Sequence, residues 1–240
     1  MLNESITSNS ILFLIVAIPI TYSIVSFVIR YKKYKNSGYF KSTQNSYWQT
    51  FSDAGKKGEY FLYQWLQPFE VLGCKFLYNL YIPRDNNKTS EIDMIIFHPK
   101  GLLVIESKNY SGWIFGNENN KQWTQVFPAG RGRSHKEYFY NPILQNATHI
   151  RALRKYIDDT IPIYSIIAFS DDCTLKDITI KSKRVIVDYY SCLYKEIKNK
   201  LAETADCLIP LELLEETYNN LLQYTNVDKN TKLQHICNCK

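Results

Sequence analysis

A long uncharged run near the N-terminus constrains this chain most. No charged residue occurs between Ser5 and Ile29, and fifteen of the nineteen residues at positions 11–29 are apolar. Nineteen helical residues span about 28 Å, which matches the hydrocarbon core of a bilayer. We therefore predict a transmembrane helix over residues 11–29, with a kink at Pro19 and with its Ser and Thr hydroxyls bonded to backbone carbonyls. A buried core helix is the alternative.

The charges that flank this run predict its orientation. Four basic residues lie between Arg30 and Lys35, whereas Glu4 is the one charged residue before the run. The positive-inside rule then places the N-terminus outside and the rest of the chain in the cytoplasm. A cleaved signal peptide would carry its basic residues ahead of the run. In the reducing cytoplasm the six cysteines are expected to be free thiols. An extracytoplasmic domain is the weaker alternative.

The net charge of +6 alone would suggest nucleic acid or an anionic membrane as a partner. Residues 1–41 contain five basic residues and one acidic residue, which leaves 24 basic and 22 acidic residues at positions 42–240. Most of the excess is therefore an orientation signal and a contact for lipid headgroups. The charge is not an argument for nucleic acid. Apolar residues at 45% and charged residues at 22% exclude disorder as the main state.

Strands and helices alternate along the rest of the chain, which predicts an α/β domain. We predict strands at 74–82, 91–97, 102–108, 163–169 and 184–187, and helices at 47–66 (ended by Pro68), 141–157, 190–202 and 211–224. Residues 127–140 are predicted to form a loop. The predicted organisation is a short tail at 1–10, the transmembrane helix at 11–29, a basic juxtamembrane linker at 30–46, the α/β domain at 47–200 and a C-terminal helical extension and tail at 201–240.

Two of these strands form a hairpin whose register can be predicted. Pairing Phe97 with Leu102 makes Ile95 oppose Val104, Asp93 oppose Glu106 and Glu91 oppose Lys108. Side chains alternate between the two faces of a strand. One face is therefore predicted to carry Asp93, Glu106 and Lys108, and the other Ile92, Met94, Ile96, Leu103 and Ile105.

Two directly opposed carboxylates destabilise a sheet unless a cation lies between them. Such oxygen ligands suit Mg²⁺, which binds one or two carboxylates together with waters and phosphate oxygens. Lys108 could then position or deprotonate a water, or stabilise charge on a phosphate. In the simpler alternative Lys108 forms an ion pair with Glu91 or Asp93, and Glu106 ends its strand in water.

Several motifs occur in a fixed order along the chain. They are Gly55-Lys56-Lys57-Gly58-Glu59, Glu91-Ile92-Asp93, Gly101 to Gly112 with Glu106-Ser107-Lys108 inside it, Trp123, and Asn141-Pro142 followed by Gln145 and His149. Together they closely resemble the NERD (nuclease-related) domain, a branch of the PD-(D/E)XK nuclease-like superfamily. The resemblance covers about residues 55–157, with a continuation to about residue 200.

The resemblance implies a restriction-endonuclease-like core, a mixed β-sheet flanked by helices, and Mg²⁺-dependent (or Mn²⁺-dependent) cleavage of DNA, with RNA as the alternative substrate. It implies catalytic roles for Glu59, Asp93, Glu106, Lys108 and Gln145. Among these it makes Asp93, Glu106 and Glu59 metal ligands. A solvated position at the helix edge is the alternative for Glu59.

Three further residues are candidates for substrate contact. Arg131 and Arg133 lie in a glycine-containing loop and could bind backbone phosphates, or could be solvated. Helical periodicity places Gln145 and His149 beside the apolar face of their helix, not within it. His149 could touch a phosphate, or could be a structural histidine.

Two hypotheses for function follow. The first is a membrane-anchored, metal-dependent nuclease that acts on DNA at the cytoplasmic face. The second is a catalytically silent module, tethered to the membrane through residues 11–29, that binds nucleic acid or serves as a scaffold.

Overall fold

A computed structural model of the chain describes residues 2–85, 88–128, 130, 133–204, 208–225 and 227. The chain divides into two compact units, Met1–Trp48 and Gln49–Lys240. Each unit is described by itself.

The N-terminal unit is built on one long helix, α1 (Leu2–Lys35), which continues through Pro19. Its segment Phe13–Lys35 has a mean hydropathy of 2.0 and is long and apolar enough to cross a membrane. As predicted, Thr21 Oγ1 donates to the Ala17 carbonyl at 2.9 Å and Ser23 Oγ donates to the Pro19 carbonyl at 2.8 Å. The apolar side chains from Phe13 to Ile29 are largely exposed, unlike those of a core helix.

The predicted linker at 30–46 is more ordered than its polar composition suggests. Helix α1 extends to Lys35, and a second helix, α2 (Gly38–Thr43), follows with Ser37 as its N-cap. Tyr34 is fully buried, and its hydroxyl donates to the Asn45 carbonyl at 2.7 Å. Aromatic packing around Tyr34 therefore folds this segment back on itself.

The second unit contains two mixed β-sheets. The first has the strand order β1-β2-β3-β7-β9, with β3, β7 and β9 parallel and the other pairs antiparallel. The second has the order β6-β5-β4-β8, with β4 and β8 parallel. The strands are β1 (Lys75–Arg84), β2 (Lys88–His98), β3 (Gly101–Lys108), β4 (Gly112–Asn117), β5 (Gln122–Pro128), β6 (Ser134–Tyr140), β7 (Ile163–Phe169), β8 (Cys173–Thr179) and β9 (Val185–Tyr189).

Helices flank the first sheet, as predicted for the α/β domain. They are α4 (Ala54–Val71), α5 (Pro142–Leu153), α6 (Tyr190–Ala202) and α7 (Leu211–Leu222), while the short α3 (Tyr47–Ser52) spans the boundary between the units. Asp53 caps α4 by accepting from Lys56 N, and Asn141 caps α5 with Pro142 in the first turn. A buried cluster joins β1, β2 and β3 to α5 and α7. Cys74, Cys173 and Cys192 are free thiols.

Three elements differ from the sequence-based expectation. The predicted loop at 127–140 contains strand β6, whose side chains are almost all exposed and therefore show no apolar alternation. Strand β8 was likewise missed, because its pattern is mostly exposed. Helix α4 continues past Pro68 to Val71, since buried Phe69 packs on Tyr194 and holds the last turn in place.

Candidate active site

The hairpin of β2 and β3 has the predicted register but ends earlier than expected. Phe97 pairs with Leu102 and Ile95 with Val104, and the last pair is Met94 with Ile105. Beyond it the predicted opposition of Asp93 and Glu106 is replaced by a hydrogen bond of 2.7 Å from Ser107 N to Asp93 Oδ2. The strands therefore separate at the two carboxylates.

The neighbouring strand β1 is distorted at the same level. Asn79 has a φ of 51°, a left-handed conformation that is uncommon in a strand. The β1–β2 pairs on either side of it are Tyr78 with Met94 and Leu80 with Ile92, so Asn79 lies level with Asp93. Such a residue interrupts the alternation of side chains between the two faces.

The structure also corrects the predicted assignment of the hairpin side chains to the two faces of the sheet. Ile92 was expected opposite the face of Asp93, with Met94 and Ile96. Instead Ile92 packs in the same buried cluster as Ile95 and Val104. Simple alternation fails here because it assumes an extended backbone at every position.

Glu106 and Lys108 form a buried ion pair. Glu106 is 2% exposed, and its Oε1 accepts from Lys108 Nζ at 2.7 Å. Lys108 Nζ also donates to Gln145 Oε1 on α5 at 3.0 Å. The ion pair expected as the simpler alternative, between Lys108 and Glu91 or Asp93, is thus replaced by one with Glu106. Glu91 instead accepts from the Tyr81 hydroxyl at 2.6 Å.

His149 is buried, which corrects the prediction that it only flanks the apolar face of its helix. Its Nδ1 forms a hydrogen bond of 2.8 Å with Ser90 Oγ, and its Nε2 lies 3.2 Å from Glu106 Oε2. This second contact lacks the alignment of a hydrogen bond. Among the described residues neither Glu106 Oε2 nor His149 Nε2 has a hydrogen-bond partner.

Glu59 approaches the same region from α4. Its Oε2 accepts from the Asn79 side chain at 3.2 Å, and the residue is half-buried. The preceding Gly58 permits this approach, because a Cβ there would lie 2.7 Å from Asn109 Cβ. Glu59 thus lies beside the distorted part of β1.

The charges at this site influence one another strongly. Desolvation and the nearby carboxylates of Glu106 and Glu59 raise the pKa of Asp93 well above its usual range. The Lys108 ammonium and the His149 ring lower the pKa of Glu106 although its burial opposes this. Glu106 in turn raises the pKa of Lys108 against the effect of burial. Two carboxylates, those of Glu106 and Asp93, thus share one buried lysine, and Glu59 adds further negative charge near Asp93.

A cleft of about 540 Å³ opens beside these residues. Asp93, Gln145 and His149 form part of its wall. The rest of the wall is Arg84, Thr89, Ser90, Glu91, Tyr140 and Thr148. Three candidate residues, Asp93, Gln145 and His149, therefore line one cleft. Two more lie behind its wall, where Lys108 contacts Gln145 and Glu106 contacts His149.

Comparisons with known proteins show the family of this chain. The family model described as the nuclease-related domain matches residues 54–170, which include Glu59, Asp93, Glu106, Lys108 and Gln145. An uncharacterised protein of Bacillus anthracis is 32% identical over 183 residues, covering 76% of this chain and 82% of that protein. The chain belongs to the nuclease-related domain family. No solved structure matches it.

Of the two candidate arginines in the loop of this nuclease-related domain, the structure describes Arg133. Arg131 falls outside the described residues. Arg133 is exposed in a turn, where its backbone N–H donates to the Gly130 carbonyl, and it is not part of the cleft wall described above. The expected contact of this loop with phosphates therefore stays a prediction.

Sequence reasoning missed three residues that shape the nuclease-related site. Asn79 positions Glu59, and Ser90 binds His149. Buried Asn146 donates to the Val104 carbonyl and to Ser165 Oγ, both at 2.9 Å, and so fastens α5 to β3 and β7. Asn146 and His149 share a helix face at a spacing of three, which a search for polar periodicity could have found.

Proposed function

We propose that the chain is a membrane-anchored, metal-dependent nuclease of the PD-(D/E)XK type that hydrolyses DNA phosphodiester bonds at the cytoplasmic face. One observation carries the proposal. Asp93 lines the cleft, and the ion pair of Glu106 and Lys108 lies behind its wall. Glu106 Oε2 is buried 3.2 Å from His149 Nε2 but makes no hydrogen bond among the described residues. A buried carboxylate oxygen that makes no hydrogen bond is costly, and a bound cation would satisfy it.

The donor set fits a hard divalent cation. No group of three or more His, Cys, Asp and Glu side chains that could hold a metal ion occurs among the described residues, so the proposed site relies on two carboxylates. Two carboxylates are enough for Mg²⁺ or Mn²⁺, because Mg²⁺ keeps several waters. We propose that Asp93 and Glu106 bind the ion, with Glu59 nearby. When bound, the ion would stabilise phosphate charge and acidify a water.

We assign Lys108 to the stabilisation of charge on the phosphate. Its Nζ donates to Glu106 and Gln145, which is the pattern of an ammonium held between two acceptors. An ammonium has three N–H donors, so a third remains for a phosphate oxygen. Gln145 orients the ammonium toward the cleft, and His149 supports Glu106 from behind.

Helix α1 is proposed to be the membrane anchor. Its length, hydropathy and exposed apolar side chains support this role. The basic residues at its C-terminal end, Lys32, Lys33 and Lys35, support an orientation with the nuclease-related domain in the cytoplasm. Reporter fusions before Ile11 and after Lys240 test it, and a reporter active outside the cell at the C-terminus would reverse the orientation.

The full chain in detergent micelles, with plasmid DNA and Mg²⁺ or Mn²⁺, tests the activity. We expect nicks or double-strand breaks that EDTA abolishes and that the variants Asp93→Asn and Lys108→Ala lack. The exposed controls Asp159→Asn and Lys198→Ala should cleave like the wild type. Cleavage that persists in both site variants would refute the site. Salt-dependent DNA binding without cleavage would support a silent nucleic-acid-binding module instead.

A further inference from the structure

A second pocket adjoins the cleft. It has a volume of about 80 Å³ and shares two wall residues with the cleft, Arg84 and Thr148. Its other walls include Arg151 and Lys155, both of them exposed. The two pockets therefore form a continuous depression that leads from Asp93 and Gln145 out to a basic surface.

The depression follows one side of α5. Gln145, Thr148, Arg151 and Lys155 follow one another at spacings of three, three and four residues, so they lie on one stripe of α5 and the turn after it. The stripe begins at the Gln145 side chain, which accepts from Lys108. Ten residues separate its ends, a distance of about 15 Å. This length corresponds to the axial rise of roughly four base pairs.

The second pocket is lined by three basic side chains, those of Arg84, Arg151 and Lys155. Lys88 lies next to Arg84, because the two are register partners on β2 and β1. We call these four residues the basic strip. Asp85 opposes them with a single carboxylate, which Lys155 already binds at 2.9 Å. The strip is therefore locally cationic, although residues 42–240 as a whole are nearly balanced in charge.

We infer that the basic strip binds consecutive phosphates of a nucleic-acid backbone and leads that strand into the cleft at Asp93 and Glu106. This inference rests on the proposed nuclease function and names the surface that holds its substrate. Guanidinium and ammonium groups are the usual phosphate donors in proteins. Continuity with the carboxylate cleft favours a nucleic acid over a lipid surface, because the pocket beside the strip shares Arg84 and Thr148 with the cleft.

The experiment measures binding of a fluorescent 24-base-pair DNA duplex to the full chain in uncharged micelles containing EDTA, across a range of salt concentrations. The test variant is Arg84→Ala/Arg151→Ala. The control Arg184→Ala/Lys198→Ala removes the same charge from exposed positions, and Arg184 precedes β9 at the opposite edge of the sheet from β1.

Loss of two phosphate contacts should reduce the slope of log K against log salt by about two. The affinity at 0.1 M salt should then fall roughly 60-fold, because each of the two contacts contributes about eightfold at that concentration. The control should keep the affinity and slope of the wild type. An unchanged slope in the Arg84→Ala/Arg151→Ala variant would overturn the inference, and so would an equal loss in the control.

Two further measurements separate this inference from the proposed function. Hydrolysis of bis(p-nitrophenyl) phosphate with Mn²⁺ reports on the site alone, since this small diester does not extend along the strip. We expect Asp93→Asn to abolish it, and Arg84→Ala/Arg151→Ala to lower it by a much smaller factor than the affinity for DNA, since Arg84 also lines the cleft. Vesicles of phosphatidylcholine, with and without phosphatidylglycerol, report on lipid binding. Since α1 is expected to insert into both, the readout is the additional binding that phosphatidylglycerol provides. If the double variant lost this addition but kept DNA binding, the strip would be a membrane contact and the inference would fail.

Discussion

Ser107 N donates a hydrogen bond of 2.7 Å to Asp93 Oδ2 at the point where β2 and β3 separate. This bond connects the two strands that carry the candidate carboxylates. It also partly compensates the burial that raises the pKa of Asp93. The hydrogen bond thus stabilises the Asp93 carboxylate at a position where burial disfavours its charged form.

Asp93→Asn should stabilise the metal-free chain at neutral pH. A raised pKa means that the folded state binds the proton more tightly than the unfolded state, so this contribution to stability is lost as pH rises from about 3.8 through the folded pKa. An asparagine has no carboxylate to desolvate, so this loss of stability disappears. Its side-chain oxygen can still accept the hydrogen bond from Ser107 N. In EDTA at pH 8 the free energy of unfolding should rise by about 1 kcal/mol, a typical gain at functional sites.

Thermal unfolding followed by tryptophan fluorescence would check this at pH 4 and pH 8. The gain should be small at pH 4 and larger at pH 8. With saturating Mn²⁺ at pH 8 the wild type should become more stable than Asp93→Asn, because only the wild type keeps both proposed ligands. A variant less stable than the wild type at pH 8 in EDTA would contradict the prediction.

Gln145→Leu should lower kcat about tenfold and leave the affinity for Mn²⁺ unchanged. The substitution removes the acceptor 3.0 Å from Lys108 Nζ but no proposed metal ligand. Steady-state cleavage assays and Mn²⁺ titration by calorimetry would measure the two quantities. A weakened affinity for Mn²⁺ with an unchanged kcat would assign Gln145 to the metal instead.

Asn146→Ala should destabilise the domain by about 2 kcal/mol, because it leaves the buried Val104 carbonyl and Ser165 hydroxyl without their donor. Urea unfolding of the full chain in micelles would measure the loss. Asn199→Ala, an exposed change on α6, serves as the control and should have almost no effect. Equal effects in the two variants would show that Asn146 does not fasten α5 to the sheet.

Gly58→Ala should cost about 1–3 kcal/mol of stability, since its Cβ would meet Asn109 Cβ at 2.7 Å and overpack the contact between α4 and the sheet. The shift of α4 should also move Glu59 and reduce cleavage. Gly55→Ala is a matched control on the same helix, where the nearest atom is Asp53 Oδ1 at 3.3 Å. It should cost less than Gly58→Ala, because the higher helix propensity of alanine offsets the crowding of the Asp53 cap. A Gly58→Ala variant as stable as the wild type would contradict this packing prediction.

The sequence alone determined the features that depend on local patterns. The uncharged run gave the long apolar helix, Asn141-Pro142 gave the start of α5, and alternation around the turn gave the pairing of Phe97 with Leu102. Ordered motifs led to the family. These signals suffice because each depends on neighbours within a few residues.

Only the tertiary structure decided how the candidate residues meet. His149 is buried against Ser90, 59 positions away, and Lys108 finds its second acceptor in Gln145, 37 positions away. Ile92 packs with Ile95 and Val104 at the level where Asn79 on the neighbouring strand is left-handed. Strand β6 exists because β5 offers it a pairing edge, although its own residues show no strand pattern. In each case the deciding energy comes from a partner distant in sequence, which periodicity and spacing do not report.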